Sequence, residues 1–102
     1  RLHHRLAPFK VAVLPLSKKD ELQPLAREVL ELVQPEFVCD YDVTQSIGRR
    51  YRRQDELGTP FAVTIDFDSL DDRAVTVRER DSMEQDRVGL DDLVDHLRDR
   101  LR

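Results

Sequence analysis

The chain has 102 residues, of which 39% are hydrophobic, 37% charged and only 6% aromatic, and its formal net charge is −4. That is one domain by size, with room for a single core of two or three layers and too little chain for a catalytic domain beside a binding domain. A lone cysteine, Cys39, excludes an internal disulfide, net acidity argues against general coating of nucleic acid, and no bilayer-length apolar run or signal-peptide pattern is present, so a reducing cytoplasm is the expected compartment.

Residues 1–9 hold His3 and His4 with no carboxylate or cysteine at ligand spacing, and Pro8 closes the segment, so a solvated linker is expected rather than a metal site. Lys10 to Leu16 is a short apolar, β-branched run that predicts a strand covered on both faces and ended by Pro15. Leu22, Leu25, Ala26, Val29, Leu30 and Val33 recur at helical spacing and predict an amphipathic helix that stops before Pro35. Its start is open: Pro24 suits the first helical position, whereas a start at Asp20 would leave it one turn inside, and an irregular turn near Gln23 is expected. Phe37–Tyr41 follows as a second short strand, completing a right-handed βαβ crossover, and Asp42–Gln45 is a loop.

Ser46 is a suitable N-cap for a helix over Ile47–Leu57, with Gly58 as its stop and Pro60 just beyond. On a helical period Ile47 and Tyr51 share one side and Arg49, Arg52, Arg53 and Glu56 the other, so the arginines are expected to face away from the core. Phe61–Phe67 predicts a third strand, and Asp68–Asp72 an acidic turn into a strand over Ala74–Arg80. On that strand Val75, Val77 and Glu79 share one face; Ala74, Thr76, Arg78 and Arg80 share the other. A two-residue loop into Glu84–Val88 would set Glu79 against Glu84. A three-residue loop opposes Arg80 to Glu84 and Arg78 to Asp86, and charge favours it. A last helix from about Asp91 carries the stripe Leu90, Leu93, Val94, Leu97 and Leu101, with Asp91 and Asp92 at its positive end and Arg98, Arg100 and Arg102 at its negative end. The order β-α-β-α-β-β-β-α reads as an α/β sandwich: a mostly parallel sheet with one antiparallel hairpin and helices on both faces.

Asp66 ends the third strand where a response-regulator receiver places its phosphoryl acceptor, but Leu16-Ser17-Lys18 stands where such a domain needs acidic metal ligands. No Gly-rich phosphate loop, Cys/His pair or His-x-x-x-His is present, so a small metal- or phosphate-dependent enzyme finds no constellation. Asp66, Asp68, Asp71 and Asp72 form a set able to bind a divalent cation, against which a solvated turn is preferred; no catalytic residue and no metal are assigned. Arginines at positions 49, 50, 52 and 53 are followed by carboxylates at 55, 56, 66, 68, 71 and 72, an asymmetry suited to meeting a polyanion at one place. Arg49, Arg50, Arg52 and Arg53 are too dense for local pairing alone, and a solvated face is the competing reading. On the hairpin, Arg78 and Arg80 beside Glu84 and Asp86 would match the donors and acceptors of a cytosine edge.

These residues resemble a known family, the C-terminal anticodon-binding domain of class IIa aminoacyl-tRNA synthetases, and within it the glycyl branch of homodimeric type. The resemblance rests on Leu6-Ala-Pro-Phe-Lys-Val-Ala-Val-Leu-Pro-Leu, Ser46-Ile-Gly-Arg-Arg-Tyr-Arg-Arg-Gln-Asp-Glu-Leu-Gly-Thr-Pro, Val63-Thr-Ile-Asp-Phe-Asp and Thr76-Val-Arg-Glu-Arg-Asp-Ser-Met-Glu-Gln. It implies a three-layer α/β/α domain over residues 10–102 with a five-stranded mixed sheet, order 2-1-3-4-5, strand 4 antiparallel, and residues 1–9 as the linker from an upstream catalytic domain. It implies tRNA(Gly), engaged at the anticodon stem-loop, as partner, with no DNA and no membrane. By motif position the base-reading arginine falls on Arg80, its acidic partner near Asp71, and the Arg-rich helix near the stem phosphates. The resemblance further implies ATP and Mg²⁺ for the full-length enzyme of that branch, expected to be a homodimer, whereas this segment, which could stand as a monomer, is expected to need no cofactor and not to aminoacylate. The alternative is a non-catalytic accessory or protein-interaction module of the same fold.

Overall fold

Two apolar runs, Val11–Pro15 (β1) and Phe61–Ile65 (β3), are buried at every residue, as strands covered on both faces must be. In chain order the remaining elements are α1 (Gln23–Val33), β2 (Cys39–Tyr41), α2 (Ile47–Leu57), the single turn α3 (Ser69–Asp72), β4 (Ala74–Glu79), β5 (Gln85–Gly89) and α4 (Leu90–Arg100). The structure, a computed structural model, describes residues 11–16, 21–41 and 47–100, apart from the side chains of residues 47, 48 and 51. The expected linker over residues 1–9, the loop 42–45, the Ser46 cap and the Leu101 and Arg102 end of the last helix lie outside the described residues. So do the side chains of Ile47 and Tyr51.

The strands form one sheet in the order β2-β1-β3-β4-β5. β1 runs parallel to β2 and β3, and β4 is antiparallel to β3 and β5. This is the order that the resemblance implies. α1 and α4 lie on one face, where Leu25, Ala26, Val29 and Val33 of α1 and Leu90, Leu93 and Leu97 of α4 meet Val11, Val13, Phe61, Val63, Ile65, Val75, Val77 and Val88. The opposite face has a much smaller apolar cluster, Ala12, Leu14 and Ala62, over which α2 sits against β1. The two alanines are register partners, and their small side chains let α2 approach closely.

Local signals act where the sequence places them. α1 starts at Gln23 after Leu22, with Pro24 in the first turn, where its missing N–H is not needed. α2 ends in a Schellman arrangement: Gly58 adopts φ 78, its N–H donates to Asp55 O at 3.1 Å, and Thr59 N–H donates to Gln54 O at 3.0 Å. Gln54, buried below this end, donates to Asp40 Oδ2 at 2.6 Å and accepts from Thr59 Oγ1 at 2.7 Å, tying α2 to β2. The Tyr41 hydroxyl donates to Gln23 Oε1 at 3.1 Å, tying β2 to α1.

The hairpin corrects the expected register. Arg78 lies opposite Gln85 and Val77 opposite Asp86, and Glu79 N–H donates to Glu84 O at 2.9 Å. The strands thus adopt the pairing that charge disfavours, closed by a four-residue loop over Arg80–Met83. Turn geometry decides it: Met83 sits at φ 62, and its N–H donates to Glu79 O at 2.9 Å. Two like charges across a ladder, one exposed and one half-buried, cost a fraction of 1 kcal/mol, roughly the scale of one cross-strand pair, which a closed turn outweighs.

Candidate nucleic-acid interface

α2 lies over β1, and β4 and β5 continue that face of the sheet beyond it. Ala74, Thr76 and Arg78 alternate onto that side, as do Gln85, Arg87 and Gly89 on β5. Arg87 and Gln85 are exposed and Thr76 half-buried. Arg87 is held from three directions. Nη1 and Nη2 meet Asp66 Oδ2 and Oδ1 at 2.9 and 3.2 Å, and Nη2 meets both Asp72 oxygens at 3.0 Å. Nε donates to Asp72 Oδ2 and Nη1 to Thr76 Oγ1, both at 3.3 Å.

The acidic loop is built to supply these carboxylates. Asp66 Oδ1 accepts from the N–H and the hydroxyl of Ser69, both at 3.0 Å, and Asp72 Oδ1 accepts from Ala74 N–H at 3.0 Å. Burial presses Asp66 towards its neutral form, but hydrogen bonds from Arg87 and Ser69, with the Arg87 charge, hold its carboxyl below the usual range. Two of the four carboxylates weighed for a cation are thereby engaged by a guanidinium. Among the described residues no group of three or more His, Cys, Asp or Glu is arranged to hold a metal. Cys39 is equally unsuited to chemistry: burial pushes its thiol up to about 11, and Sγ donates to Phe37 O at 3.4 Å.

Arg78 and Arg80 do come together, and α2 is what joins them. Arg78 Nη1 and Nη2 reach the Asp55 carboxylate at 3.3 and 3.4 Å, and Arg80 Nε donates to the Asp55 carbonyl at 3.1 Å. Arg80 Nη1 also donates to Asp81 at 3.1 Å. The side chain of Arg78 is only 9% exposed, against 25% for Arg80. Arg78 therefore anchors the hairpin to α2 instead of standing open to a base, a correction to its expected role. A recess of about 60 Å³ lies beside Arg80, bordered by Gly58, Pro60, Phe61 and Arg100.

Two further site expectations are corrected. Arg50 does not face solvent: it is 2% exposed, Nη1 donates to Pro15 O at 2.5 Å and Nη2 to Leu16 O at 3.1 Å. It shares the inward stripe of α2 with Gln54, four residues on, and is not available to phosphates. Asp86 lies on the α4 face, 3.4 Å from Arg100 and 3.9 Å from His96, across the sheet from Arg78. Arg49 and Arg52 are exposed on the outer side of α2, Arg53 is half-buried with its Nε enclosed, and Asp71 and Glu84 are exposed. Arg87 and Asp55 were absent from the expected site. The signal for Arg87 was its alternation with Val88, which places it on the face opposite the main core.

Comparison with known proteins bears directly on this arrangement. A family model described as "Anticodon binding domain" matches residues 10–100, and the chain belongs to that family. It is 63% identical over 101 residues to a glycine–tRNA ligase of Corynebacterium glutamicum and 56% identical over 101 residues to that of Streptomyces coelicolor. Each alignment takes in 99% of this chain and 22% of the relative, so the chain spans about a fifth of the length of the curated relatives it matches. Among solved structures it resembles the RNA binding domain of threonyl-tRNA synthetase from Cryptosporidium parvum Iowa II, with TM-score 0.81, 26% identity, and coverage of 96% of this chain and 25% of that one. Prolyl-tRNA synthetase from Cryptosporidium parvum shares the fold, with TM-score 0.83, 20% identity, and coverage of 98% and 23%.

Proposed function

We propose that this chain is the anticodon-binding domain of a glycine–tRNA ligase and that it reads the anticodon of tRNA(Gly). The supporting observation is identity of 63% and 56% to proteins of that name along 99% of the chain. The accessory-module alternative is not favoured by these relatives. Arg80, fixed in direction by Asp55 yet partly open at the hairpin, is the guanidinium placed to donate to a base edge; Asp71 and Glu84 are exposed acceptors on neighbouring loops. Arg49 and Arg52 on the outer side of α2, with the half-buried Arg53 beside them, meet stem phosphates. ATP, Mg²⁺ and the aminoacylation chemistry belong to the part of the ligase outside these residues, and the full-length enzyme works as a cytoplasmic homodimer.

The test is charging by the full-length ligase carrying Arg80→Ala. Discrimination between the native tRNA(Gly) and a transcript with one altered anticodon base should fall by roughly 1–3 kcal/mol, read as the ratio of kcat/KM values. An unchanged ratio removes Arg80 as a reader.

A further inference from the structure

We propose that Arg87 is a stacking platform for one unpaired nucleobase, offering the face of a guanidinium whose edge is already fully engaged. The inference rests on the anticodon-reading function above and assigns a residue to it.

A guanidinium has five N–H donors, all in its plane. Those of Arg87 point at Asp66, Asp72 and Thr76, so no donor is left over for a base edge or a phosphate. The side chain is nonetheless 34% exposed. With its donors turned to these acceptors, the accessible part of the side chain lies off the N–H rim, on the face of the sheet that also carries Thr76 and Gln85. Two carboxylates also outweigh the single positive charge, so the cluster as a whole does not attract phosphate. An unpaired base needs neither donor nor net charge; it needs a flat, weakly hydrated surface, and guanidinium planes serve as such surfaces in single-stranded RNA recognition. Because Asp66 is itself held by Ser69, and Asp72 by the N–H of Ala74, the plane is set before RNA arrives and little side-chain freedom is lost on binding. Arg78 offers no such surface: its side chain is only 9% exposed.

The experiment measures binding of the full-length protein to an anticodon stem-loop of tRNA(Gly) bearing one abasic nucleotide at each unpaired loop position in turn. Wild-type protein, Arg87→Ala and Arg87→Lys are compared. Wild type should lose on the order of tenfold in affinity at one loop position. That loss should shrink below about twofold in both variants, because neither presents a plane. Arg87→Lys keeps a cation between Asp66 and Asp72 and decides the matter if Arg87→Ala is poorly folded. The salt slope should equal that of wild type in both variants; a reduced slope would mean a phosphate contact and overturn the proposal. Equal abasic losses in all three proteins at every position would overturn stacking while leaving anticodon reading intact. Wild-type indifference to every abasic position would sink both.

Discussion

Arg50 turns a buried charge into a fastening. Its guanidinium meets main-chain carbonyls of Pro15 and Leu16 at the end of β1, so each side satisfies a group the other buries. Arg50→Met would fill similar space and leave those carbonyls without this donor. Urea unfolding should show a loss of about 1.5–3 kcal/mol, the range for hydrogen bonds to charged groups, and an unaltered midpoint would contradict the fastening role. The position of Arg50 was legible: it stands three residues after Ile47 and four before Gln54, on one stripe. Its destination was not, because pattern reading sends charge outward and the compensating acceptors come from a strand 35 residues earlier in the chain. Arg87 was obscured in the same way, since Asp66 and Asp72 become its neighbours only after β3 and β5 are placed on either side of β4.

At the level of elements, existence was easier to read than register. The period-two alternation of β4 and the helical stripes of α1 and α4 identified those segments to within a residue or two of their observed bounds. The hairpin pairing was not legible, because a left-handed Met83 has no sequence signature and overrides a weak charge preference. Gly58 is the opposite case, a stop announced by residue type and used as announced. Gly58→Ala would force a Cβ into the left-handed region at the end of α2 and should cost roughly 1–2 kcal/mol in thermal or urea unfolding. A neutral result would indicate that α2 ends without help from that conformation. Since Asp55 lies in the same last turn and holds Arg78 and Arg80, loosening the turn should also broaden base discrimination.

Across the whole molecule the distribution of charge matters more than its sum. The chain is net acidic at −4, yet α2 shows Arg49 and Arg52 to solvent on the side away from the sheet. Association with RNA should therefore depend on salt through a few contacts only. Arg52→Ala in the full-length protein should weaken all tRNA sequences alike and lower the slope of log K against log salt by about 1, whereas Arg50→Met should leave that slope unchanged. An unaltered slope for Arg52→Ala would move α2 off the phosphate path.

The sheet has two outer strands, and they are protected in different ways. β2 offers only Cys39–Tyr41, too short to template another chain, while β5 presents Gln85, Asp86 and Arg87 as exposed polar residues along its first three positions. The ion pairs that fix Arg87 thus also keep a charged group on the last strand, where an apolar residue would invite edge-to-edge association. Solubility and recognition here draw on the same side chain, so substitutions at that position must be judged by self-association as well as by affinity.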